Sequence, residues 1–251
     1  MNKPGATDLH AALDATWPSA ATHVCGPFLL RQGDGGGKRV SAATLLTATS
    51  ASTGDIARAE DAMRGLGQEP LFMIRDAQAA PADAALDTAL EGRGYSIIDP
   101  TVFYSAPVGG IARVPRPMAT FPVWPPLALQ AALWEDAGIG AARQAVMARV
   151  AGPKCAFMAR HRNRAAGVAF GALDPETGIA MLHALEVVPD FRREGVAREL
   201  VGAIAQWAAD IGATHFALAV TEANNEARAL YQRLGMAESG RYHYRHLQTA
   251  D

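Results

Sequence analysis

Leu185-Glu186-Val187-Val188-Pro189-Asp190-Phe191-Arg192-Arg193-Glu194-Gly195-Val196-Ala197 reads as a short strand, a proline stop, a loop and the start of a helix. Pro189 ends the strand because it has no N–H to give to a ladder. Beyond the loop, Val196, Leu200, Ile204, Trp207, Ala208 and Ile211 recur at helical spacing, and Gly212 stands where that helix should stop. Inside the loop, Arg192-x-x-Gly195-x-Ala197 sets small residues where backbone must come close to a ligand. Successive N–H groups can then face one anion at a helix N-terminus, where the dipole adds partial positive charge. The same residues also suit an ordinary strand-turn-helix connection with solvated arginines. A Walker-type loop is excluded, since no Gly-Lys-Ser/Thr opens the helix.

A second cluster follows. His215 to Val220 reads as a buried strand, and Asn224-Asn225 is a helix-start signal. Ala227, Leu230 and Leu234 make the apolar stripe of a short helix that Gly235 ends. Tyr231, four residues after Ala227, lies on the same side as that alanine. Alone it reads equally as a core aromatic.

Together the two segments resemble the signature motifs of the GNAT acetyltransferase superfamily. The family's Gln/Arg-x-x-Gly-x-Gly/Ala maps onto Arg192, Gly195 and Ala197. Its Asn-x-x-Ala-x-x-Leu-Tyr-x-x-x-Gly maps onto Asn224, Ala227, Leu230, Tyr231 and Gly235, with Met236 where Phe or Met is usual. The preceding Leu185-x-Val187-x-Pro189 agrees too, and the resemblance runs from about residue 128 to 247. It implies a mixed, mostly antiparallel α+β sheet flanked by helices. It also implies acetyl-CoA as co-substrate: pyrophosphate on Arg192, Arg193, Glu194, Gly195, Val196, Ala197 and Arg198, pantetheine and acetyl group along Val187 and Val188, with Asn224 and Tyr231 completing the donor site. No metal is implied.

Composition narrows the partners. Over 251 residues, 23 Lys+Arg against 25 Asp+Glu give a net charge of −2, and no basic block offers electrostatic capture of nucleic acid or an anionic membrane. Cys25 and Cys155 are too few and too far apart for a disulfide framework or a metal site, so reduced cytoplasm is the expected setting. Asp8 and Asp14 interrupt the first residues where a signal peptide would be hydrophobic. The uncharged stretch 118–134 holds Pro122, Pro125, Pro126 and Gln130, which suit a linker and helix entrance better than a membrane span. The expected partner is a small-molecule or peptide amine, and a homodimer is compatible with these residues.

Prolines and glycines cluster from Pro107 to Pro126, marking a joint at 109–126 between an amino-terminal lobe (1–108) and the acetyl-CoA-binding domain (127–251). Leu71–Ile74, Ala84–Leu90, Gly92/Gly94 and Val102–Tyr104 repeat, as strand, helix, stop and strand, the order of Phe216–Val220, Glu226–Leu234, Gly235 and Tyr242–Tyr244. The first lobe lacks the Arg-x-x-Gly-x-Ala loop and reads as a smaller, degenerate relative. Residues 17–41 resemble the amino-terminal module of some bacterial two-lobed acetyltransferases. Gly33 to Lys38 fails as a phosphate loop by spacing and reads as a flexible hairpin loop, with strand from Val40. Residues 126–150 read as helical, and 155–161, 165–173 and 179–188 as an antiparallel run in which His161, Arg162 and Arg164 form a solvated turn.

By the resemblance, the Val187 N–H would polarise the acetyl carbonyl and Tyr231 would donate to the departing sulfur. A phenol, ordinarily protonated below about pH 10, suits that role. Glu186 is the candidate base through a water, against a plain surface or paired glutamate, and His183 on the same strand face is a second candidate. Met181 occupies the position where some members carry an acid. Tyr242, Tyr244 and His246 share one face of the last strand and either shape acceptor specificity or simply pack. The resulting expectation is an N-acetyltransferase; the alternative is a non-catalytic acyl-CoA-binding sensor or assembly module.

Overall fold

The computed structural model describes residues 3–46, 49–75 and 80–247. In chain order come α1 (Ala6–Thr16), β1 (Ala21–Cys25), β2 (Phe28–Gln32), α2 (Lys38–Ser41), β3 (Thr44–Leu45), α3 (Thr53–Gly65), β4 (Leu71–Ile74), α4 (Pro81–Gly92) and β5 (Tyr95–Pro107). Then follow α5 (Val108–Ile111), β6 (Thr120–Val123), α6 (Ala128–Asp136), α7 (Ala141–Arg149), β7 (Lys154–His161), β8 (Arg164–Asp174) and β9 (Ile179–Val187). The chain ends with α8 (Val196–Asp210), β10 (His215–Thr221), α9 (Asn225–Arg233) and β11 (Ala237–Leu247). The architecture is mixed α+β with mostly antiparallel pairing, as expected. No helix among the described residues is long and apolar enough to cross a membrane.

Two compact units divide these elements. The first comprises Met1–Pro18, Phe103–Val220 and Asn224–Ser239; the second comprises Ser19–Val102, Thr221–Ala223 and Gly240–Asp251. The division differs from lobes at 1–108 and 127–251. Residues 3–18 join the first unit because Leu9, Leu13 and Thr16 of α1 are buried against β8 and β9. The proline-rich joint joins it because Thr120–Val123 forms an edge strand on β7, with Pro122 opposite Phe157. A strand edge tolerates a residue without N–H.

In the first unit, β6, β7, β8 and β9 pair antiparallel in sequence, and β10 lies parallel to β9. Helix α8 crosses β7, β8 and β9, burying Val196, Leu200, Val201, Ile204 and Ala208. Each fully buried valine, leucine or isoleucine contributes about 1.5–3 kcal/mol. Close approach is set by Gly171, where an added Cβ would meet Ile204 Cγ2 at 2.7 Å and Trp207 at 3.3 Å. The expected helix over 126–150 is two helices, because Gly138 (φ +80°) ends α6 and Gly140 caps α7.

In the second unit, β1, β2 and β3 form a small antiparallel sheet, while β4 pairs antiparallel with β11. Phe28, Leu30, Ile56, Met63, Phe72, Ile74, Leu86, Leu90 and Tyr95 make its core. Glu60 at the edge of that core accepts from Arg93 Nη2 (2.8 Å) and the Tyr95 hydroxyl (3.1 Å). The strand expected from Val40 is instead the helical turn α2, and the loop before it is held rather than flexible: Gly33 N–H donates to Gln68 Oε1 at 2.7 Å.

Gly171→Ala should destabilise the protein by about 1–3 kcal/mol, because α8 has to lift off its strand. Urea unfolding measures this, and unchanged stability would contradict the close helix–sheet contact.

Candidate functional site

The site begins where two parallel strands part. β9 and β10 pair from Ile179/His215 to Leu182/Leu218 and no further. Against β8, the register slips between Phe170↔His183 and Val168↔Glu186, so β9 carries one extra residue. That bulge holds Ala184 at φ +49° and bends the strand away from its parallel neighbour. The indole Nε1–H of Trp134, itself fully buried on α6, donates to the Ala184 carbonyl at 2.9 Å and satisfies the group that the bulge strands. Beyond the bulge, Glu186, Val187 and Val188 form a half-buried strand end.

At that strand end the chain makes a short 3₁₀ turn (Pro189–Phe191) and enters the loop. Arg193 (φ +66°) and Gly195 (φ +84°) both take left-handed backbone, and Gly195 is the N-cap of α8. Successive turns of this kind aim N–H groups at one point. The N–H groups from Arg193 to Arg198 meet no backbone acceptor among the described residues. A Cβ on Gly195 would touch nothing within 4 Å, so the space in front of the loop is open. An anion there would receive several N–H donors and the positive end of a 15-residue helix.

One loop residue, Glu194, opposes an anion. It is held aside by the β7–β8 hairpin, whose turn carries Arg162 and Asn163 at φ +47° and +62°, the signature of a tight two-residue turn. His161 Nε2 lies 2.7 Å from Glu194 Oε2, and Arg162 Nη2 lies 2.9 Å from Oε1. Arg164 stacks on the Phe191 ring at 5.1 Å and reaches Asp190 at 3.8 Å. These three basic residues, read from the sequence as a solvated turn, brace the loop. Their signal was electrostatic: a carboxylate inside an anion-binding loop needs cations to turn toward.

Tyr231 is buried in the first unit, 5.9 Å ring to ring from Tyr104. Its hydroxyl finds no hydrogen-bond acceptor or donor among the described residues. Burial, and then the nearby Glu186 carboxylate, push its pKa up to about 12. Glu186 is half-buried; burial raises its pKa against the opposing pull of Arg192 and Arg143. Tyr231 therefore senses the Glu186 charge. Tyr104, which the sequence reading placed only in a closing strand, packs beside Tyr231 and is fixed by Glu238 (3.0 Å) and Gln232 (3.2 Å).

Other expected residues take more local roles. Asn224 Oδ1 accepts from Ala227 N–H at 3.1 Å and caps α9. The N–H of Val188 donates to Ala166 O at 2.9 Å, so it is already committed to the protein. Arg192 Nε reaches back to Val187 O at 3.4 Å, and the exposed Arg193 pairs with Glu226 at 3.0 Å. His183 is buried against Trp17, with Nε2 2.9 Å from Thr16 Oγ1. Since Thr16 donates its own proton to Ala12 O, His183 is the donor in that pair, an arrangement that anchors α1 and leaves Nε2 unable to act as a base.

Residues 119–236 match the acetyltransferase (GNAT) family. An aminoglycoside N(6')-acetyltransferase type 1 from Acinetobacter genomosp. 13 is 36% identical over 66 residues, covering 26% of this chain and 45% of that relative. A GCN5-related N-acetyltransferase from Kribbella flavida superimposes with a TM-score of 0.71 at 18% identity, covering 100% of this chain and 98% of that one. A tandem GNAT protein from the clavulanic acid biosynthesis pathway gives 0.57 at 15% identity, over 84% and 76% of the two chains.

The brace on Glu194 has a measurable consequence. His161→Ala combined with Arg162→Ala leaves that carboxylate free to face the loop, and calorimetric affinity for inorganic pyrophosphate should fall about tenfold, or ~1.4 kcal/mol. Adding Glu194→Gln should restore it. Equal affinity in all three proteins would contradict the arrangement.

Proposed function

From a chain whose residues 119–236 form a GNAT-family acetyltransferase domain, we propose an N-acetyltransferase that moves an acetyl group from acetyl-CoA to a primary amine of a small molecule or peptide. The observation that carries this reading is the open N–H run from Arg193 to Arg198 beside the parting of β9 and β10. A pyrophosphate fits the run, since its charges would be met by donors that the protein leaves unused. In this reading an extended arm leaving that loop lies along the strand end at Val187, and the Val187 N–H would polarise the acetyl carbonyl. The thioester supplies an activated acyl group, and attack by the acceptor amine expels a thiolate.

Three tasks remain for the protein. Tyr231 donates a proton or hydrogen bond to the leaving sulfur; with its pKa near 12 it stays protonated throughout the working pH range. Glu186 takes a proton from the incoming ammonium, directly or through a water, and its raised pKa brings it closer to neutrality, where a carboxylate base is more effective. The folded frame aligns the reactants, a contribution that can reach effective molarities of about 10⁵ M. The family match over residues 119–236 and the relative named for aminoglycoside N-acetylation support an amine acceptor.

The second unit we read as a degenerate copy of the same supersecondary unit. The ends of α4 and α9 support this: Gly94 (φ +86°) donates to Glu91 O just as Gly235 (φ +87°) donates to Gln232 O. Counting back four residues from each glycine pairs Leu90 with Tyr231. A copy with leucine at that position has lost the phenol.

Thiol release from acetyl-CoA across a panel of amines tests the activity. In Tyr231→Phe, kcat should drop about 10²-fold or more while the KM for acetyl-CoA holds; acetyl-CoA binding without turnover on any amine would favour a sensor, and no binding would end the reading. The pH profile tests Glu186 separately. The wild-type kcat/KM should fall as pH drops through a carboxylate pKa above the ordinary value, and Glu186→Gln should lose that limb. An identical acid limb in the variant would remove Glu186 from the base role.

A further inference from the structure

Tyr231 stands on a helix that apolar packing alone holds weakly. α9 is 9 residues long, too short to be stable by itself, and Tyr231 is its one buried residue. The Tyr231 hydroxyl makes no hydrogen bond among the described residues, so the phenol is aimed by the helix that carries it and by the ring it packs against.

That ring is Tyr104. It lies in the part of β5 that belongs to the first unit, is fully buried, and meets the Tyr231 ring at 5.9 Å and 45°. Its hydroxyl donates to Glu238 Oε1 at 3.0 Å and accepts from Gln232 Nε2 at 3.2 Å. The same Glu238 oxygen accepts from Arg228 Nη2 at 3.1 Å. Gln232 follows Tyr231 directly and Arg228 stands three residues before it, so Tyr104 and Glu238 hold α9 on both sides of the phenol. Beside them Ser105 Oγ and Ser239 Oγ lie 2.6 Å apart, which ties β5 to β11 at this point. A phenylalanine in place of Tyr104 would keep the ring contact and lose both hydrogen bonds. Tyr104 and Glu238 both fall outside residues 119–236, the segment that matches the acetyltransferase family. The hold on α9 is thus built by parts of this chain that flank the matched domain.

We propose that Tyr104 is a positioning residue: through Gln232, and through Glu238 with Arg228, it fixes α9 so that the Tyr231 phenol meets the sulfur of CoA. The inference rests on the reading of Tyr231 as donor to the leaving sulfur. Tyr104 acts through that phenol, so a change at Tyr104 weakens the bond to sulfur and leaves the pyrophosphate loop on α8 unaltered.

Calorimetric binding of CoA and of desulfo-CoA, in which hydrogen replaces the thiol, isolates that bond without any acceptor amine. The wild type should prefer CoA about tenfold, the weight of one buried hydrogen bond, and Tyr231→Phe, Tyr104→Phe and the double variant should each prefer it about threefold or less. Desulfo-CoA affinity should be the same in all four proteins. A Tyr104→Phe protein that keeps the wild-type preference while Tyr231→Phe loses it would overturn the proposal alone. So would losses that multiply in the double variant, or an equal fall in affinity for both ligands in Tyr104→Phe. A preference unchanged in Tyr231→Phe would end the Tyr231 reading and the proposal with it. Should Tyr104→Phe fail to fold, Gln232→Met cuts the link at an exposed residue, and an undiminished CoA preference there would overturn the proposal as well.

Discussion

The hydrogen bond from the Trp134 indole to the Ala184 carbonyl is the small contact on which the parting of β9 from β10 rests. A bulge puts an alanine in left-handed backbone, at a cost of roughly 1 kcal/mol, and interrupts the ladder. One satisfied buried carbonyl returns about the same amount. The bulge thus persists at little net cost, and its geometric effect is large: β9 leaves β10 after Leu182. Without that parting, Val187 would stay inside a continuous sheet and the loop at Arg193 would open onto packed strands. The indole comes from α6, fully buried and 50 residues earlier in the chain, so the helix layer and the strand irregularity depend on each other.

Electrostatics then refine what the backbone makes. The loop gathers N–H groups, yet carries a glutamate of the wrong sign for an anion site. Arg162 eases that conflict by pairing with Glu194 Oε1, while His161 Nε2 lies 2.7 Å from Oε2, an oxygen that meets no hydrogen-bond donor among the described residues. The Glu186 carboxylate makes the charged form of Tyr231 less favourable, and both groups are held above their ordinary pKa values mainly by burial. A protonated donor and a more basic carboxylate are what opposite proton-transfer roles need.

How much of this was legible depended on sequence distance. The Arg192–Ala197 loop, α8 and the α9 cap are local signals, in which proline, glycine and asparagine stand at positions set by backbone geometry, and their boundaries agree with the structure to within a residue or two. The bulge was not legible, because alanine carries no preference for positive φ. β6 was hidden by Pro122, acceptable only because that strand lies at an edge. The break between α6 and α7 was written in Gly138 and Gly140, but the apolar spacing on either side ran through them. Least visible were pairs brought together from afar: His161 with Glu194, His183 with Thr16, and Tyr104 with Glu238, 134 residues later. No local pattern encodes such pairs.

In the proposed reading, the parted strands and the loop form one continuous binding track. A crystal structure of the protein with CoA tests it most directly. The pyrophosphate should lie on the N–H groups of Arg193 to Arg198, the pantetheine arm between β9 and β10, and the sulfur within hydrogen-bonding distance of the Tyr231 hydroxyl. CoA bound elsewhere, or bound on the loop with its sulfur remote from Tyr231, would contradict it.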